Sequence, residues 1–119
     1  MIHDEICTYD VCKLAKEKGF PVKEIECWYC EFDGRPTKEI VDDQQYPIIS
    51  QSLLQRWLRE EKEIHITVFP NISNSFEFDY IVYSKGDKFW NPIYTARNDF
   101  ATYELALEDA LKYALENLV

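Results

Sequence analysis

Phe76-Glu77-Phe78-Asp79-Tyr80-Ile81-Val82-Tyr83 is the stretch that decides the fold. Phe76, Phe78, Tyr80 and Val82 alternate with Glu77, Asp79, Ile81 and Tyr83, and a period of two sends successive side chains to opposite faces of a strand. One face is apolar along its length and has to be covered. The other mixes acids with Ile81 and Tyr83. Upstream, Ile64, Ile66 and Val68 alternate in the same way with His65, Thr67 and Phe69, giving a strand over 64–69. Residues 70–75 form a loop. Downstream, Lys85-Gly86-Asp87-Lys88 turns the chain into a third strand over 89–96. That strand contains Pro92, which has no amide to donate, so it should be an edge strand or carry a bulge.

The covering layer is supplied by helices. Ser50 caps a helix over 51–62, with Leu53, Leu54, Trp57, Leu58 and Glu61 on one face and Arg56 placed to pair with Glu60 on the other. Thr102 caps the last helix, over 103–117. Tyr103, Ala106, Leu107, Ala110, Leu111, Ala114, Leu115 and Leu118 fill one broad face; Glu108, Asp109, Lys112 and Glu116 lie opposite, and Leu105 is apolar on the polar side. The row of alanines lets this helix approach a sheet closely. A first helix spans 8–18, with Thr8 as N-cap, Val11, Leu14, Ala15 and Lys18 as its stripe, Gly19 as the left-handed C′ residue and Pro21 as a stop. Residues 24–32 read as a strand and 33–36 as a turn, while 37–47 either extend a hairpin or form a long loop. The expectation is one α+β domain over residues 1–119, in the order α-β-α-β-β-β-α. Its antiparallel sheet has three or four strands, with helices packed mainly on one face. The final α-β-β-β-α portion has the element order of a double-stranded RNA-binding domain. That domain needs cations at the start of its last helix, and here the helix opens Thr102-Tyr103-Glu104, so the analogy is topological.

Charge narrows the function classes. The 119 residues carry 13 Lys and Arg against 22 Asp and Glu, a net −9. A nucleic-acid binder gains affinity by neutralising phosphates, and an anionic membrane selects for cations in the same way. Neither partner is expected; a basic protein is. No apolar run reaches the roughly 18 residues that cross a bilayer. The acidic start, Met1-Ile2-His3-Asp4-Glu5, lacks the layout of a signal peptide, so the expected location is cytoplasmic.

Four cysteines, Cys7, Cys12, Cys27 and Cys30, are spaced C-x4-C-x14-C-x2-C. Thiolates suit zinc, but only the second pair has ligand spacing, and in a strand residues 27 and 30 point to opposite faces. The expectation is four packing thiols and no metal or cofactor, with a small zinc-binding domain as the alternative reading. A thioredoxin-like use of Cys27–Cys30 would need a helix start there. His3 lies near the start of the chain and His65 alternates outward from an apolar strand face, so neither is assigned as a base. Phosphate loops and the nucleophile and metalloprotease motifs are absent, so no catalytic residue is assigned and an enzyme with an unrecognised site remains a second alternative. The surface of interest is the outer sheet face. His65, Phe69, Ile81 and Tyr83 are the candidate partner-binding residues, with Trp90 or Tyr94 beside them. Glu104, Glu108, Asp109 and Glu116 form a row that could imitate DNA phosphates or serve as an ordinary solvated helix face.

Two stretches carry a resemblance. Gln51-Ser52-Leu53-Leu54-Gln55-Arg56-Trp57-Leu58-Arg59-Glu60 with Ile64-His65-Ile66 is one, and Asp99-Phe100-Ala101-Thr102-Tyr103-Glu104-Leu105-Ala106-Leu107-Glu108 with Ala110-Leu111 is the other. With Glu5-Ile6-Cys7 and Leu14-Ala15-Lys16-Glu17-Lys18-Gly19-Phe20, the chain resembles over nearly its whole length a family of small uncharacterised phage- and prophage-type proteins of gut Bacteroidetes. The resemblance implies no activity and no functional residues, and the four-cysteine cluster as such is not part of its pattern. The function expected is a non-enzymatic protein-interaction module of phage or prophage origin, a monomer or dimer.

Overall fold

The structure, a computed structural model, describes residues 5–21, 28–29, 36–37, 46–71 and 77–119. Its order is α1 (Tyr9–Glu17), β1 (Trp28–Tyr29), β2 (Pro36–Thr37), β3 (Tyr46–Pro47), α2 (Gln51–Glu61), β4 (Ile64–Pro70), β5 (Phe78–Lys85), β6 (Trp90–Phe100) and α3 (Tyr103–Asn117). This is the expected α+β class. β4, β5 and β6 form an antiparallel sheet with β5 in the middle. A second sheet, in the order β2-β1-β3, is made of two-residue antiparallel pairings; only its β1 falls within the strand expected at 24–32. Of the loop expected at 70–75, Pro70 instead ends β4, and residues 72–75 lie outside the described residues, as does Phe76; of the turn expected at 33–36, Pro36 lies in β2 and 33–35 lie outside the described residues.

The period-two reading of β5 holds. Ile64, Ile66, Val68, Phe78, Tyr80, Val82, Ala96 and Phe100 face the helices. Pro92 sits on the edge strand, and a register shift opposite Val82 and Tyr83 leaves Ile93 as the extra residue, so the strand shows both accommodations proline allows. β6 runs four residues beyond the expected 96. A second shift, opposite the step from Phe78 to Tyr80, carries the pairing on to Phe100. Tyr94 is corrected from the outer face to the inner one. It pairs with Val82 and its ring stacks on Tyr113 of α3 at 3.9 Å.

α2 and α3 lie on that inner face. Ala106, Leu107, Ala110, Leu111, Ala114 and Leu115 are buried against it, as the row of small residues requires. Leu54, Trp57 and Leu58 of α2 fill in beside them, whereas Leu53 and Tyr103, both expected in the core, stand at its rim and are exposed. α1 packs on α3 and β3 through Val11, Cys12 and Ala15. Each helix has the expected N-cap: the Thr8, Ser50 and Thr102 hydroxyls accept from the amides of Val11, Leu53 and Leu105. α1 ends in a Schellman motif, in which the Gly19 amide donates to Lys16 and the Phe20 amide to Ala15, with Gly19 at φ +98°. Phe20 is thereby turned into the core, edge-on to Trp57 at 5.3 Å.

Candidate functional site

The outer face of the sheet is fixed by strand register. His65 lies opposite Tyr83, Thr67 opposite Ile81 and Phe69 opposite Asp79; β6 adds Thr95 beside Ile81 and Pro92 beside Tyr83. The four candidate residues, His65, Phe69, Ile81 and Tyr83, therefore share one surface across two neighbouring strands, all of them half-buried. Among the described residues, α1, α2 and α3 all lie on the other side. The His65 ring is 5.9 Å from Tyr83 and 5.6 Å from Trp90, so Trp90, at the start of β6, reaches across β5 to close a three-ring cluster. Burial in this cluster, and then the charge of Arg59, holds the imidazole below its usual pKa, so it is neutral at pH 7.

The patch continues past the candidates to the tip of the β5–β6 hairpin. Phe89 is 76% exposed, Ile93 44% and Trp90 38%. Phe89 and Ile93 were not anticipated. Ile93 reaches the surface because of the bulge, and a bulge leaves no period to read. Gly86 makes the hairpin possible. Its amide donates to the Phe89 carbonyl, and a Cβ there would meet that carbonyl at 2.9 Å as well as the Asn91 side chain. At the opposite end of the face, Asp79 is buried and accepts from Asn71 at 3.2 Å.

The acidic row on α3 is not a free ridge. Glu108 accepts from the Thr8 amide at 2.6 Å and from Gln51 Nε2 at 2.9 Å, which ties α3 to the starts of α1 and α2. Asp109 accepts from the hydroxyl of buried Tyr80 at 2.8 Å. Glu108 and Asp109 thus each accept a hydrogen bond from another element of the fold, while Glu104, Asp109 and Glu116 stay exposed. Around Glu108 lies a cavity of about 340 Å³ whose walls include Ile6, Thr8, Gln51, Glu104 and Leu105. Leu105, 54% exposed, is the apolar residue that the helical wheel placed on the polar side.

Cys7 and Cys12, at the start of α1, are buried. Cys12 Sγ donates to the Cys7 carbonyl at 3.7 Å. The neighbouring Cys12 thiol, then burial and the nearby Glu108 charge, push the Cys7 thiol far up, while the Cys12 thiol is lowered. Among the described residues no three His, Cys, Asp or Glu side chains converge where a metal ion could sit. Cys27, Cys30 and His3 lie outside those residues. Nor is any described helix long and apolar enough to cross a membrane. No family model, no curated protein and no solved structure matches the chain.

Proposed function

We propose that this chain is a non-enzymatic protein-binding module that engages a basic protein partner in the cytoplasm through the outer face of its sheet. The reading rests on one observation: His65, Phe69, Ile81 and Tyr83, joined by Trp90, make a continuous surface of rings and aliphatic groups on the side away from all three described helices. Aromatic residues are enriched at the centres of protein interfaces, where their large area is buried at little cost in side-chain entropy. The net charge of −9 supplies long-range attraction to a basic partner and repels nucleic acid. The resemblance to phage and prophage proteins extends the proposal to a mobile-element origin, with a host or phage protein as the partner.

The test is affinity capture from host lysate at low and high salt, beside a folded control carrying Phe69→Ser, Ile81→Ser and Tyr83→Ser. The intact chain should retain a basic protein that the control loses, and retention should weaken with salt. Equal retention by both chains contradicts the assignment. Self-association of the intact chain alone would make the partner a second copy.

A further inference from the structure

We propose that Cys7 and Cys12 form a reversible disulfide across the start of α1, with a low-molecular-weight disulfide such as oxidised glutathione as the oxidant. With Thr8 as the N-cap, Cys7 occupies N′ and Cys12 occupies N4. Those are the positions of a hydrophobic staple, whose two side chains meet over the first turn of a helix. α2 has the same arrangement with ordinary aliphatics: Ser50 is its N-cap, and the staple is Ile49 with Leu54, both fully buried. The staple of α1 has the same placement but is built from two thiols, which can do chemistry that Ile and Leu cannot.

The geometry supports the step. Both side chains are buried, and Cys12 Sγ lies 3.7 Å from the Cys7 carbonyl. Cys7 is held in place by its amide, which donates to the Ile49 carbonyl at 2.8 Å. The staple holds the two side chains over one helical turn, and closing a disulfide brings their sulfurs to about 2.05 Å. The exchange runs in two steps. The Cys12 thiolate attacks one sulfur of the small disulfide, an S–S bond forms and one small thiolate leaves. Cys7, losing its proton, then attacks the Cys12 sulfur and expels the second thiolate. The protein loses two electrons and two protons, and the small disulfide is reduced to two thiols. Both cysteines are buried, so the oxidant enters when the segment at 5–7 opens. Two backbone bonds hold that segment to the start of α2, Cys7 to Ile49 and Gln51 to Glu5.

The experiment is a redox titration of the full chain carrying Cys27→Ser and Cys30→Ser, in buffers of reduced and oxidised glutathione. Equilibrium is approached from both the reduced and the oxidised protein. Thiols are then trapped by alkylation and counted by intact mass, with the chain folded and in denaturing urea. A native staple raises the effective concentration of one thiol at the other. The folded chain should therefore be half-oxidised in a buffer at least about tenfold more reducing than the unfolded chain requires. Equal midpoints, or a folded midpoint that needs the more oxidising buffer, overturn the proposal. If the double variant fails to fold, the same titration on the unaltered chain with peptide mapping decides it. A Cys7–Cys12 linkage formed preferentially in the folded state supports the proposal; any other linkage, or none, overturns it.

Discussion

Tyr80 stands on the middle strand with its ring buried and its hydroxyl donating to Asp109 of α3. Burial, and then the bond to Asp109, raises its pKa well above the usual value near 10. Between about pH 10 and that raised value the unfolded chain releases the tyrosine proton and the folded chain keeps it. This group therefore contributes its full stability below pH 10 and loses it as pH climbs, by up to about 1.4 kcal/mol per pH unit. Urea melts across that window should show the decline. Tyr80→Phe should flatten it, while costing about 1–2 kcal/mol at neutral pH for the lost hydrogen bond. A slope unchanged in the variant would assign the effect elsewhere. The position of Tyr80 on an inward face was legible from alternation alone. Its partner was not: Asp109 sits on the polar side of a helical wheel, and only the seating of α3 on the sheet brings the carboxylate to the hydroxyl. Glu108 was hidden in the same way, because its partners lie 100 and 57 residues distant in sequence.

At the scale of elements, the caps were the most legible features, since each depends on one residue type at one place. Thr8, Ser50, Thr102 and Gly19 all take their expected roles. Glu63 is different: it lies between α2 and β4 in the left-handed region at φ 57°, where glycine is the usual occupant, and its carbonyl accepts from the Lys85 amide. Nothing in the residue type announces this. Glu63→Gly should raise stability by about 0.5–1 kcal/mol by relieving the backbone, and Gly19→Ala should lower it by about 1 kcal/mol. Thermal or denaturant melts of the two variants should move in opposite directions, and a shared direction would contradict the helix-end account. β1 falls inside the aromatic run read as a strand, whereas β2 and β3 were not legible, because pairings two residues long carry no period. The extension of β6 to Phe100 passes through Asn98 and Asp99, residue types depleted in strands, and is carried by pairing to β5 through a register shift.

Among the described residues, apart from Leu53 and Tyr103 at the rim of the core, the exposed large apolar side chains fall in two places. One is Phe89, Trp90 and Ile93 at the hairpin end of the outer sheet face; the other is Ile6 and Leu105 beside the cavity where the three helices begin. The first was partly legible, because two alternating strands with aromatics on both faces imply a surface that one helical layer cannot cover. The second was signalled only by Leu105 on the wrong side of its helix. The functional account assigns the partner to the sheet face, and the two exposures lie on different sides of the molecule, so footprinting can separate them. The most direct measurement is hydroxyl-radical labelling of the chain alone and with its captured basic partner, read residue by residue by mass spectrometry. The account predicts that labelling of Phe69, Tyr83 and Trp90 falls several-fold on binding while Ile6 and Leu105 are unchanged. Protection of Ile6 and Leu105, with the sheet face labelled as in the free chain, would contradict it.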